Sequence, residues 1–135
     1  KRYDNLWQSI ITKDNFLKKA EEGINKSCVK GKERDWISTS KLRKILAMVS
    51  DIYNDARRLS EEQLDETMKS KVQYLKLHVI YEAGRDFKIV KPFIDNTQIL
   101  QIIDEIGESK DQLITFCHYM EALVAYRKFK GGDRD

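Results

Sequence analysis

The chain has 135 residues, 41% of them hydrophobic, enough to bury the core of one ordinary domain and too few for a second independent one. That composition and a full aromatic set exclude a largely disordered chain, and with only one proline and six glycines the scarcity of breakers favours helices. Lys and Arg outnumber Asp and Glu by 25 to 22, a balance that permits nucleic-acid binding without requiring it, because local clustering matters more than the total.

In chain order, Leu6, Trp7, Ile10 and Ile11 form a short apolar group, and Thr12 is placed to cap a helix carrying Phe16, Leu17, Ala20 and Ile24. Gly31 and the charged run KGKERDW predict a loop leading into a helix that starts at Ser38 or Thr39. Leu42, Ile45, Leu46, Val49, Ile52, Tyr53 and Ala56 then recur at steps of three and four, which puts them on one helical face that another element must cover. Ser60 is the expected cap of the next helix, whose stripe is Leu64, Met68, Val72, Leu75 and Val79, and the two predict a helical hairpin.

Gly84 opens an expected connector, GRDFKIVK, after which Pro92 suits the first turn of a further helix bearing Phe93, Ile99, Leu100, Ile103 and Ile106. Gly107 separates it from the last helix, SKDQLITFCHYMEALVAYRKFKGG. There Ser109 and Gln112 have capping-box spacing, and Leu113, Cys117, Met120 and Val124 make a stripe that Phe116 and Leu123 widen. Arg127, Lys128 and Lys130 complement the negative end of its dipole, and Gly131 or Gly132 can end it in a left-handed conformation. The run FKIV has no comparable partner strand, so little sheet is expected. These elements predict an all-α compact bundle of about five helices, a single domain spanning 1–135.

Cys28 and Cys117 belong to no metal-binding spacing and read as reduced thiols, with Cys117 buried. No apolar run is long enough to cross a bilayer and no secretory leader is visible, so no membrane role is expected and the cytoplasm is the default location. The chain begins at Lys1 rather than Met, so the native start can lie upstream. Phosphate loops, nucleophile elbows and zinc ligand clusters are missing from the sequence. His78 with Glu82 and His118 with Glu121 have helical spacing for a shared face, yet two isolated pairs fit ordinary surface or packing roles better than a metal or proton relay. No cofactor, no metal and no catalytic residue is expected.

Positive charge lies on identifiable helix faces. Arg43 shares a flank with Ser50, Asn54 and Arg57, while Lys41 and Lys44 add charge near the start of the same helix. Lys71, Tyr74, His78 and Tyr81 form a stripe directed toward Arg85, the connector adds Lys88 and Lys91, and the last helix adds Arg127 and Lys130. Such groups can neutralise phosphates while rings stack or bound a groove. From the pattern alone, solvated or protein-binding faces remain the more economical account, and the tyrosines read as core or half-core residues.

Three blocks, ISTSKLRKILAMVSDIYN from Ile37, VIYEAGRD from Val79 and YMEALVAYRKFKGG from Tyr119, agree in order and spacing across the domain. In them the chain resembles the small helical subunit of type III-A CRISPR effector complexes, over about Thr39 to Gly132. The resemblance implies a helical bundle that lines the effector interior beside guide RNA and target RNA. Other subunits of the complex and neighbouring copies of itself would be its partners, and it would supply no RNA-cleaving or cyclic-oligoadenylate-producing site. It places Arg43, Arg85 and Arg127 at the basic positions of the three blocks. The closing block departs from the family at Arg127, where His is common, and at Lys130, where an aromatic is common. The expected function is therefore a non-catalytic structural subunit contacting guide and target RNA backbone without base specificity. Its expected contacts are Lys41, Arg43, Lys44, Arg57, Arg85, Lys88, Lys91, Arg127 and Lys130. A purely protein–protein helical scaffold is the alternative, and a metal-dependent nuclease ranks third.

Overall fold

In the computed structural model, which describes residues 9–132, the apolar stripes become helices and the polar breaks between them become caps and short turns. The described helices are α1 (Phe16–Ser27), α2 (Thr39–Arg57), α3 (Glu66–Arg85), α4 (Val90–Thr97), α5 (Ile99–Ile106) and α6 (Lys110–Lys130), with a 3-10 turn at Glu33–Asp35. Among the described residues the only extended pairing is one antiparallel bridge, Gln63 with Ser109. Leu6 and Trp7 of the N-terminal apolar group lie outside the described residues. Ile11, from the same group, is fully buried.

α6 is the central element, packed against α1, α2 and α5. Its burial extends beyond the stripe read from the sequence to Thr115, Tyr119 and Ala122, so the helix is enclosed on most of its circumference. α3 packs on α2, α4 and α5, and α4 also packs on α1. The expected α2–α3 hairpin is present. Each apolar side chain taken out of water contributes about 1.5 to 3 kcal/mol and a good cap about 1 kcal/mol, so the stripes select the fold and the caps set its boundaries.

The expected Ser109 cap forms, its Oγ accepting from the Gln112 amide at 3.0 Å, and the helix expected from Ser38 or Thr39 starts at Thr39, with Ser38 Oγ accepting from the Lys41 amide at 3.1 Å. The capping box is not reciprocated, because the Gln112 side chain donates instead to the Ile11 carbonyl at 3.1 Å and ties the N-terminal segment to α6. Thr12 and Asn15 bond each other's amides, Thr12 Oγ1 at 3.2 Å and Asn15 Oδ1 at 2.6 Å, which fixes the turn before α1. Thr12 thus organises the approach to the helix, and the helix itself starts at Phe16.

Three boundaries differ from expectation. Ser60 does not cap α3, which begins at Glu66 with Asp65 Oδ1 accepting from the Met68 amide at 2.8 Å. Residues 61–64 pair with the start of α6, through Leu64 N–H to Glu108 O at 2.9 Å and Lys110 N–H to Glu62 O at 3.0 Å, and so cannot coil. Gly84 lies inside α3, which continues to Arg85, and the connector shrinks to residues 86–89. The single helix expected after Pro92 is two, because Gln98 turns left-handed at φ 58°. Tyr119 Oη donates to the Thr97 carbonyl at 2.8 Å. That bond occupies an acceptor that an unbroken helix would use internally. The count is therefore six helices among the described residues instead of about five.

Candidate nucleic-acid interface

Internal contacts bring the expected cations to one end of the bundle, with one exception. Lys41 Nζ, near the start of α2, bonds Asp86 Oδ2 at 2.7 Å just beyond α3. Arg127, near the end of α6, donates from Nε to the Ile37 carbonyl at 2.7 Å, immediately before α2. The N-terminus of α2 and the C-termini of α3 and α6 therefore meet. Arg57 is the exception: it lies 14 residues from Arg43 on α2, which is about 21 Å along the axis. It sits with its guanidinium 5.6 Å from the centre of the Tyr53 ring.

Between α2 and α3 at this end lies a cleft of about 320 Å³, lined on one side by Lys41, Lys44 and Met48 and on the other by His78, Glu82 and Arg85. Met48 and His78 also line a second, shallower cleft, which continues past Asp51 and Asp55 to Arg58 and Lys71. The groove therefore runs from a basic mouth to a mixed-charge far end. Arg43 points to the other flank of α2: the helical period sets it about 160° from Lys41. Arg57 apart, the predicted residues thus lie on well-separated sides of one end, with Lys88 and Lys91 on the α3–α4 corner.

Their charges are not equally available. Arg43, Lys44, Lys88 and Lys130 are exposed and carry no ion pair among the described residues. Lys91 Nζ is 2.7 Å from Asp95, and Arg85 NH1 is a loose 3.6 Å from Glu82. The Lys41 ammonium and the Ile89 amide, both bonded to Asp86, hold that carboxyl below its ordinary value, so Lys41 is partly neutralised. Lys71 bonds Asp55 and depresses that carboxyl in the same way, tying α2 to α3 near the turn of the hairpin.

Arg127 corrects the expectation of a surface contact. Only 2% of it is exposed, its NH1 donates to Gly131 O at 2.8 Å, and its guanidinium lies 5.2 Å from the Trp36 ring centre. Gly131 follows at φ 75° and Gly132 at φ 90°, as expected for the helix stop, and Gly132 rests on Trp36 closely enough that a Cβ would come within 3.3 Å of the ring. Trp36 in turn donates from Nε1 to Val29 O at 2.9 Å. Arg127 thereby holds the end of α6 against the loop that carries the exposed Lys30, Lys32 and Arg34 beside Glu33 and Asp35, a run whose charge the periodicity of the sequence did not single out. The ring and guanidinium are separated by 91 positions in sequence, so local patterning gave no signal of this clasp.

The tyrosine expectation holds for the half-buried Tyr53 and Tyr126 and fails at two positions on α3. Tyr74 and Tyr81 are 64% and 60% exposed, although Tyr119 is buried as read. Glu61, Glu62, Asp65, Glu66 and Glu108 gather at the opposite end of the bundle, around the Gln63–Ser109 bridge. Lys69 pairs with Glu66 and Glu108 and partly compensates that end, so the polarity between the two ends is one of local excess. Among the described residues no three His, Cys, Asp or Glu side chains gather to hold a metal, and no helix is long and apolar enough to cross a membrane. His78 and Glu82 both line the cleft, whereas His118 packs between Phe16 and Tyr53, with ring centres at 5.9 and 5.6 Å.

Residues 16–133 match the family model described as Csm2 Type III-A. The CRISPR system Cms protein Csm2 of Streptococcus thermophilus is 40% identical over 124 residues, covering 92% of this chain and 98% of that protein. The protein of the same name from Mycobacterium tuberculosis strain H37Rv is 34% identical over 119 residues, 88% of this chain and 94% of its own length. The Enterococcus italicus protein is 34% identical over 95 residues, covering 69% and 67%. With the family match spanning nearly all of the described helices, this chain belongs to the type III-A Csm2 family of CRISPR proteins.

Proposed function

We propose that the chain is a non-catalytic subunit of a type III-A CRISPR effector complex and contacts guide and target RNA through the basic end of its bundle. The observation that carries this reading is the gathering of Arg43, Lys44, Lys88 and Lys130, all exposed and without ion pairs among the described residues, at the end remote from the acidic one. Such a pole attracts a phosphate backbone and orients the protein on it, while base identity is left to guide–target pairing. Lys41, Arg85 and Lys91 contribute from the cleft and corner with their charge partly compensated. Arg127 supports the surface from within, and Arg57 lies outside the cluster. The other subunits and neighbouring copies would then meet the remaining faces.

The test is the salt dependence of RNA association in the assembled complex, using matched guide–target pairs of unrelated sequence. Neutralising one direct phosphate contact, as in Arg43→Ala or Lys88→Ala, is expected to weaken association across all pairs and reduce the salt slope by about 0.7 to 0.9. Unchanged association and slope after removal of all four exposed cations would defeat the reading. A protein-docking scaffold is the second reading, favoured by the exposed Tyr74, Leu77 and Ile80 on α3. It predicts impaired assembly with normal RNA association in whatever complex does form.

A further inference from the structure

We propose that the α3–α4 corner is a stacking platform for an unpaired RNA base, formed by Tyr81 and Phe87 and flanked by Arg85, Lys88 and Lys91. This rests on the RNA-contact reading and adds a ligand feature it lacks, an unstacked nucleobase. Phe87 is 69% exposed and Tyr81 60%, while Phe93 and Phe116 are buried. Phe129 and Tyr74 are exposed as well, but these two rings each have a cation on one side: Lys91 Nζ lies 5.3 Å from the Phe87 centre and Arg85 Cζ lies 5.9 Å from the Tyr81 centre. A cation at one face of an aromatic leaves the other for a base, and the flanking charges have the sign that a phosphate backbone requires.

The corner is also held in shape before any ligand arrives. Asp86 Oδ1 accepts from the Ile89 amide at 3.1 Å, its carbonyl accepts from Val90 and Lys91, and Oδ2 is tied to Lys41 at 2.7 Å. Phe87 therefore projects from a fixed turn, so less ordering cost falls on binding. Tyr74, two turns earlier on α3, provides the contrast. It is equally exposed, yet it sits among Glu66, Lys69, Gln73 and Leu77, a mixed neighbourhood better suited to protein. In an A-form duplex the base faces are already stacked, so a ring platform discriminates in favour of a single strand or a splayed-out nucleotide.

The experiment compares the full chain and its variants on a single-stranded RNA containing one 2-aminopurine and on a blunt duplex of the same sequence. Phe87→Ala is expected to weaken single-strand binding roughly 5- to 150-fold, which is the loss of one stacked base. It should also abolish quenching of the 2-aminopurine while leaving duplex binding and the salt slope unchanged. Phe87→Trp should restore both, and Tyr81→Ala should weaken the single strand in the same selective way. Lys88→Ala should weaken both RNAs and lower the salt slope. Because the ring is exposed, circular dichroism should show Phe87→Ala folded as wild type. The proposal is overturned if wild type does not bind or quench the single strand, if Phe87→Ala leaves that binding intact, or if it weakens single strand and duplex alike. Loss of complex assembly by Phe87→Ala with RNA binding intact also overturns it, and makes the ring a protein contact. If Lys88→Ala shows an effect and Phe87→Ala does not, the platform alone fails. If neither does, and removal of all four exposed cations in the assembled complex is also silent, the RNA reading fails with it.

Discussion

A buried guanidinium is tolerable only when its donors are used, and Arg127 spends its own on the Ile37 and Gly131 carbonyls. Arg127→Ala should therefore destabilise the fold by about 1.5 to 3 kcal/mol, the range for hydrogen bonds made by a charged group. Arg127→Lys should recover little, because an ammonium cannot reproduce two directed bonds and a planar stack. Denaturant unfolding measures this, and a cost below about 0.5 kcal/mol would return Arg127 to the class of surface cations. The closing block made its charge legible but not its direction, since the acceptors are backbone carbonyls and one lies 90 residues away. Core positions were easier to read. Leu123, fully buried, should cost about 2 to 5 kcal/mol as Leu123→Ala, whereas Leu46, at the edge of its stripe and only half-buried, should cost clearly less. Equal costs at the two sites would show that the stripe edge is packed as tightly as its centre.

At the scale of the element, α3 shows what helical period can and cannot reveal. Its core stripe of Met68, Val72, Leu75 and Val79 was readable, and the same wheel sets Tyr74 and Tyr81 on the opposite side of the helix. Their exposure was therefore available to the sequence. The helix start was not available, because Ser60 and Asp65 are both acceptable caps and the choice is made by the pairing of residues 61–64 with the start of α6. Asp65→Ala should cost about 0.5 to 2 kcal/mol in thermal or chemical unfolding. Ser60→Ala should stay within about 0.5 kcal/mol. The reverse order would mean that α3 starts earlier in solution. The break at Gln98 was equally illegible, since it depends on a hydroxyl from Tyr119, a residue of another helix.

For the whole molecule, the ionisable groups that folding perturbs lie on both sides of neutrality and set a pH window. Asp55 and Asp86 have folded values below their ordinary 3.8, chiefly because Lys71 and Lys41 bond them. A depressed carboxyl contributes stability that is complete above the ordinary value and is lost as pH falls through the folded one. On the other side, burial pushes the Cys117 thiol from 9.0 up to about 12, and Glu66 raises Lys69 above its ordinary 10.5. Those contributions are complete below the unfolded values and are lost as pH rises through the folded ones. The unfolding midpoint should accordingly be flat between about pH 5 and 8 and decline on either side. Asp86→Asn keeps an acceptor for the Ile89 amide but removes the charge that Lys41 stabilises, so it should lower the plateau and make the acid decline shallower. Cys117→Ala should make the alkaline decline shallower and lower the plateau only by what its cavity costs, uniformly with pH. An acid limb identical to wild type in Asp86→Asn would mean that the Lys41 pair, although formed, is screened too well to couple the hairpin to protonation.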